Sequence, residues 1–299
     1  MTLDALRCLC AIVESGSFRR AAAQVHRSQP AVSQQLKALE RETGHLLIER
    51  KTGRPTPLGQ MFYERSRSIV LAMDALAREA ADFDESAGHE LRVGTSDTTA
   101  LYVLPPHVRR FAEAMPQTRL VLVNRSSDAI AEQVLRGELD LGIVTLPLEH
   151  AELEECPLFE QRLVLVTHTA HHLARRRRVH LGELHDEAML LIEERTRTGT
   201  LLRQHFQKES FTPQVLLDSG SFEVIKRYTA EGVGISFLPE AVISSADTGL
   251  TTIPVPGLPP VPIGAIWRKG AYRSKAERNF LDLLRMHPCP ENALSAREQ

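Results

Sequence analysis

Apolar residues recur every three or four positions through the first eighty residues, and the recurrence breaks at turn-forming residues. Leu6, Leu9, Cys10 and Val13 share one face between Asp4 and Ser15, which predicts a helix with Gly16 as its stop. Ser17 can cap a short second helix, Phe18–Val25, whose Ala21-Ala22-Ala23 run lets a neighbouring helix come close. After the polar turn His26-Arg27-Ser28, a third helix runs from Gln29 to about Thr43. Ser28 caps it, Pro30 sits in its first turn, Val32, Leu36 and Leu39 face inward, and Gly44 ends it. Leu46–Arg50 reads as a short strand and Lys51–Arg54 as a basic turn. From Leu58 to about Phe83 the positions Leu58, Phe62, Ile69, Met73, Leu76, Ala80 and Phe83, with the stem of Arg65, make an apolar seam on one long helix that Gly88 ends.

Beyond residue 90 strand-like runs alternate with helical ones. Leu91–Gly94 precedes a helix up to Met115, and Leu120–Val123 precedes a helix Asp128–Arg136. Leu139–Val144 and Leu163–Val166 follow as strands. A second series holds Met189–Ile192, a helix Gly199–Glu209, Val215–Leu217, a helix Phe222–Glu231 and Gly234–Phe237. Val261–Trp267 reads as a returning strand, Ser274–Met286 as a closing helix, and the chain from Pro288 as a polar tail. This alternation predicts an α/β body with substantially parallel sheets in two subdomains, crossing over near Leu165–Thr167 and Gly264–Trp267.

Composition narrows the class. The 299 residues correspond to about two domains at ~150 residues each. With 42% hydrophobic and 25% charged residues the chain falls in the soluble globular range. Charges interrupt every apolar stretch before the ~18 residues of a spanning helix, so no membrane segment is expected. The start Met1-Thr2-Leu3-Asp4 has no basic stretch, so no secretory signal is expected. Cys8, Cys10, Cys156 and Cys289 form neither a disulfide framework nor a zinc pattern, which points to a reduced, cytoplasmic protein. The net charge of -2 hides an asymmetry: residues 1–68 hold eleven Lys/Arg against six Asp/Glu, and residues 69–90 hold one against six. A basic head before an acidic stretch and a near-neutral body suggests a polyanion-binding module joined to something else.

The second and third helices with their tight turn make a helix-turn-helix. Gln29, Ser33, Gln34 and Lys37 on the outer face of the third helix are side-chain types that read base edges or hold phosphate, and the basic turn resembles a wing. A three-helix bundle with a polar exposed helix has the same spacing. Ser17-Phe18, Ala21-Ala22, Ser28-Gln29-Pro30-Ala31-Val32-Ser33, Leu39-Glu40, Gly44, Leu47 and Arg50 resemble the N-terminal signature of LysR-type transcriptional regulators. Ile48 departs from the family's usual Phe, and Pro55-Thr56-Pro57-Leu58-Gly59 departs from its usual Leu-Thr-x-Ala-Gly; both bear on the wing. The resemblance implies a winged helix-turn-helix with Arg19, Arg27, Ser28, Gln29, Pro30, Ser33, Gln34, Lys37, Arg50, Lys51 and Arg54 as the DNA-contact set. Gln29, Ser33 and Gln34 would read bases, while Lys37, Arg50 and Arg54 would grip phosphate or minor groove. It also implies that the long linker helix pairs with its twin through Phe62, Ile69, Met73 and Leu76. The expected partners are double-stranded DNA bearing a pseudo-palindromic operator, and a second copy of the chain, in dimers or dimers of dimers. A helix packed on its own body gives the same seam.

In the body, Gly137-Glu138-Leu139-Asp140-Leu141-Gly142-Ile143, His172-Leu173-Ala174 and Gly232-Val233-Gly234-Ile235 resemble pieces of the LysR effector domain. That resemblance implies a two-lobed fold like the periplasmic binding proteins, with a small effector between the lobes. Strand ends and helix N-termini suit anions. Such positions are Ser96, Thr98 and Thr99, with Asp97 among them; Thr145; Thr198, beside Arg195 and Thr196; and Ser221 with Phe222. Each Ser or Thr is equally a helix cap. The expected effector is a small anion or carboxylate. The expected division is a DNA-binding domain 1–57, a linker helix 58–88 and an effector domain 89–299, with lobe I about 91–164 and 267–287 and lobe II about 167–263. His168, His171, His172, His180 and His185 flank Arg175-Arg176-Arg177-Arg178, whose charge opposes a dication, and no Cys or carboxylate stands at ligand spacing, so no metal is expected. Gly232-Val233-Gly234 lacks the third glycine of a dinucleotide loop, and no Walker, G-x-S-x-G or H-E-x-x-H pattern occurs, so no cofactor and no catalytic residue is expected. The competing class is a cytoplasmic α/β binding protein or enzyme with an N-terminal assembly module.

Overall fold

The computed structural model describes residues 1–50, 52–82 and 89–286. The chain divides into two compact units, Met1–Glu85 and Ser86–Gln299. The expectations placed on Lys51, Phe83, Gly88 and the tail from Pro288, Cys289 included, lie outside the described residues.

The described residues of the head form the helices α1 (Leu3–Ser15), α2 (Phe18–Gln24), α3 (Gln29–Thr43) and α4 (Pro57–Ala81). Their ends follow the capping residues. Thr2, Ser17, Ser28 and Thr56 each accept an N–H of the first turn, and Gly16 and Gly44 close α1 and α3 in the left-handed conformation. Leu9, Ile12, Ala21, Val32, Leu36, Leu39, Leu47 and Ile48 form the fully buried centre. The expected strand at Leu46–Arg50 is a single antiparallel bridge between Ile48 and Pro55, closed as a hairpin by Glu49 N–H to Arg54 C=O at 2.9 Å. The departure at Pro55–Gly59 is absorbed locally: Thr56 N–H bonds Leu47 C=O, Pro57 starts α4, and a Cβ at Gly59 would lie 1.8 Å from the Leu47 carbonyl oxygen.

The body has a five-stranded sheet in the order β2-β1-β3-β10-β4. Its strands are β1 (His89–Thr95), β2 (Thr118–Asn124), β3 (Leu141–Thr145), β4 (Leu153–Gln161) and β10 (Val261–Arg268). β1 runs parallel to β2 and β3, while β10 is antiparallel to β3 and β4. Around it lie α5 (Pro105–Ala114), α6 (Ser127–Arg136) and α9 (Lys275–Met286), with Phe111 edge-to-face on Phe280 at 5.3 Å. The second lobe has an antiparallel sheet of β8 (Ser236–Pro239), β5 (Leu163–His168) and β9 (Leu250–Ile253). Beside it is a parallel pair, β6 (Ala188–Ile192) with β7 (Gln214–Ser219). α7 (Arg197–Lys208) and α8 (Phe222–Ala230) pack here.

Three expectations need correcting. The five-stranded sheet is mixed, because the returning β10 enters antiparallel between β3 and β4, and the β8-β5-β9 sheet is antiparallel throughout. The crossovers lie outside the expected windows: the chain leaves the first sheet between Gln161 and Leu163 and re-enters it between Ile253 and Val261. Leu165–Thr167 is therefore inside β5, and Gly264–Trp267 inside β10. Finally, the single helix expected up to Met115 is a π turn, Thr99–Val103, followed by α5.

Candidate functional site

On the head, α3 presents Gln29, Pro30, Gln34 and Lys37 to solvent, with Ser33 half-buried beside them. Arg19 on α2 and Arg54 in the hairpin are exposed. Ser28 spends its hydroxyl on the Ala31 amide. Arg27 is paired with Asp4 at 2.7 Å. Arg50 is paired with Glu40 and lies over the Phe18 ring at 6.0 Å. Glu40, on the inner side of α3, also accepts the Leu47 amide at 2.9 Å and the Ile48 amide at 3.3 Å. This carboxylate therefore fixes the base of the hairpin, a role that the expected phosphate contact from Arg50 did not anticipate.

The apolar positions of α4 meet two different surroundings. Leu58, Phe62 and Val70 pack on the head core, with Ser66 buried between them. Phe62 is partly buried and packs on the core of its own unit. Ile69, Met73 and Leu76 remain 48%, 45% and 58% exposed, and Met61 joins them.

In the body a cavity of about 250 Å3 lies between the lobes. Ser96, Thr98, Thr145, Thr198, Ser221 and Phe222 line it. Thr99 does not: it is buried and receives the Ser96 hydroxyl at 3.1 Å. Ser96 also accepts the Thr99 amide at 3.3 Å, so this side chain caps its turn. Thr196 and Ser126 likewise cap α7 and α6. Thr98 and Ser221, at the starts of the π turn and α8, make no capping bond. The first residues of α6, α7 and α8 reach the cavity, as does Thr98 just before the π turn, and such helix N-termini bring unpaired amides and partial positive charge.

Sequence reasoning missed Arg125, Asp128, Gln161, Arg197 and Glu223, which also line the cavity. The Gln161 Nε2 is buried without a hydrogen-bond partner. Two polar clasps cross between the lobes. Arg197 on α7 binds Asp128 on α6 at 2.7 Å and the Pro147 carbonyl. Tyr102 in the π turn donates to Glu223 on α8 and accepts from Lys226 at 2.9 Å. Burial alone would depress Lys226, but Tyr102, Glu223 and Asp247 outweigh it and hold the ammonium above its ordinary range. The Ser126-Ser127-Asp128 run after a strand carried the same cap signal as the other cavity loops, so its place at the cavity was recoverable. Gln161 was not, because β4 went unread.

Two family models cover this chain. Residues 3–60 match the bacterial regulatory helix-turn-helix protein, lysR family, and residues 84–288 match the LysR substrate binding domain. The chain belongs to the LysR family. Among relatives of this LysR-type protein, the DNA-binding transcriptional dual regulator OxyR of Escherichia coli is 28% identical over 93% of each chain. The HTH-type transcriptional regulator YcgK of Bacillus subtilis is 25% identical, covering 95% of this chain and 94% of that one. The structure of a full-length OxyR variant from Pseudomonas aeruginosa superposes with a TM-score of 0.74 at 25% identity, over 97% and 96% of the chains. The protein is accordingly a DNA-binding transcriptional regulator with an effector-binding body, as the resemblance implied. Among the described residues no helix is long and apolar enough to cross a membrane.

Proposed function

We propose that this LysR-type regulator acts in the cytoplasm, without catalysis, and that a small carboxylate bound between its two lobes controls how it holds DNA. One observation carries the ligand class: helix starts converge on a cavity where Gln161 Nε2 lacks a partner and the Ser221 hydroxyl makes no cap. An amide donor, a hydroxyl and free backbone N–H groups are what a carboxylate accepts from. Arg125 and Arg195 add positive charge, while Asp97 and Glu223 suit a hydroxyl or cationic group at the other end of the ligand. The cavity admits only a small molecule.

On the head, Gln29, Ser33 and Gln34 read base edges, and Arg19, Lys37 and Arg54 hold phosphate. Arg27, Ser28, Pro30 and Arg50 set the shape of this surface. A second copy joins through Ile69, Met73 and Leu76, which places two heads on a pseudo-palindrome.

The test is a thermal-shift screen of small carboxylates against the full chain, repeated with Ser221→Ala and Gln161→Ala. A carboxylate should raise the melting temperature of the parent, and each variant should keep its unliganded melting point while weakening that shift at least tenfold in ligand concentration. A carboxylate response that is the same in all three proteins places the ligand elsewhere.

A further inference from the structure

Two of the histidines set aside on sequence grounds lie side by side on the second lobe. His171 caps the short 3-10 turn His172–Arg175, and the two imidazole centroids are 4.5 Å apart. The chain then runs through a second 3-10 turn, Leu181–Leu184, and brings Glu187 back against both rings. His172 Nε2 is 3.1 Å from Glu187 Oε1, and His171 Nε2 is 3.4 Å from Glu187 Oε2. All three ligand atoms lie within 4.8 Å of one another. Two ligands at ~2.0–2.1 Å from a tetrahedral ion stand about 3.3 Å apart, close to the distance of each imidazole from its nearer Glu187 oxygen. Glu187 and His171 have side chains only 16% and 23% exposed, whereas His172 is 68% exposed and leaves one side open to water.

The arginine run no longer opposes this reading. Arg175, Arg176, Arg177 and Arg178 are all exposed, and Arg176 is paired with Glu183, so solvent and a carboxylate screen their charge. His171 Nδ1 accepts the Leu173 amide at 3.3 Å. Ligation through Nε2 moves the ring proton to Nδ1 and gives up that long contact.

We propose that His171, His172 and Glu187 form a site for one divalent transition-metal ion, Zn2+ foremost, with water completing a tetrahedron. Two imidazoles and one carboxylate suit Zn2+ over the hard ions Mg2+ and Ca2+. The ion joins the exit of β5 to the entry of β6, and so clips the two sheets of this lobe together.

Zn2+ titration of the tag-free full chain, read by competition with a chromophoric chelator, tests this. One ion should bind per chain in the micromolar range or tighter, and Zn2+ should raise the melting temperature. Co2+ should give the intense visible bands of four-coordination. His172→Gln and Glu187→Gln, both checked for unchanged circular dichroism, should each weaken binding at least tenfold and remove the Zn2+ shift, while His150→Gln should change neither. No uptake at about 100 μM free Zn2+, or uptake of equal affinity in the parent and both site variants, overturns the proposal.

Discussion

Glu40 shows how one side chain decides local geometry. It is 7% exposed and satisfies two backbone amides and Arg50. Glu40→Ala leaves those amides buried without acceptors, a loss of about 2–4 kcal/mol. Hydrogen exchange across residues 3–60 should then lose protection by a factor of ~30 or more, and unchanged protection would mean that the clasp is ornamental. Cys10 gives a pH signature. Burial pushes its thiol up to about 12 from 9.0, with Glu14 adding to the rise. Between those values the folded chain keeps a proton that the unfolded chain has lost. Its contribution is complete below pH ~9 and is lost as pH rises, by at most about 1.4 kcal/mol per pH unit. Denaturant midpoints should fall from pH ~9 upward, and Cys10→Ala should fall less steeply. Identical slopes in the two proteins would remove Cys10 as the cause.

At the scale of elements, legibility followed the strength of the local signal. The caps at Ser17 and Ser28 and the stops at Gly16 and Gly44 were plain in the sequence, and α1, α2 and α3 end within a residue of expectation. β4 was not legible, because Leu153-Glu154-Glu155-Cys156-Pro157 is polar and holds a proline. The strand survives as a sheet edge with a register shift where Pro157 faces Gly264. β9 has only four residues. For α4 the spacing gave the helix and its apolar face, and not which part of that face is covered: Phe62 and Ile69, seven residues apart, share a face, yet Phe62 packs on the head core and Ile69 stays exposed. The exposed part makes a sharper prediction than the whole seam would. Ile69→Glu with Met73→Glu places like charges across any helix pairing there while leaving the packed part intact. Sedimentation should show a smaller assembly with native circular dichroism; an unchanged mass would assign the contact to another surface.

For the whole molecule, the order of elements announced the architecture, and the family models then supplied the class. What the sequence withheld was long-range pairing. Arg197 meets Asp128, Tyr102 meets Glu223, and Glu187 meets His171 and His172 only through the folded body. No spacing rule reaches across such separations, so the cleft was half legible: its Ser and Thr positions were visible and its clasps were not. The central claim, that two heads read a paired DNA site through α3, has one direct measurement. The full chain is used to select binding sites from a random duplex library, and the selected site is assayed with Gln34→Ala and Arg54→Ala. The account predicts two inverted half-sites about one helical turn, or a multiple of it, apart. Gln34→Ala should lose ~1–3 kcal/mol on that site alone. Arg54→Ala should weaken selected and random DNA together and flatten the salt slope by about one. A library that yields no paired motif, or two variants that lose the same affinity on selected and random DNA, would contradict it.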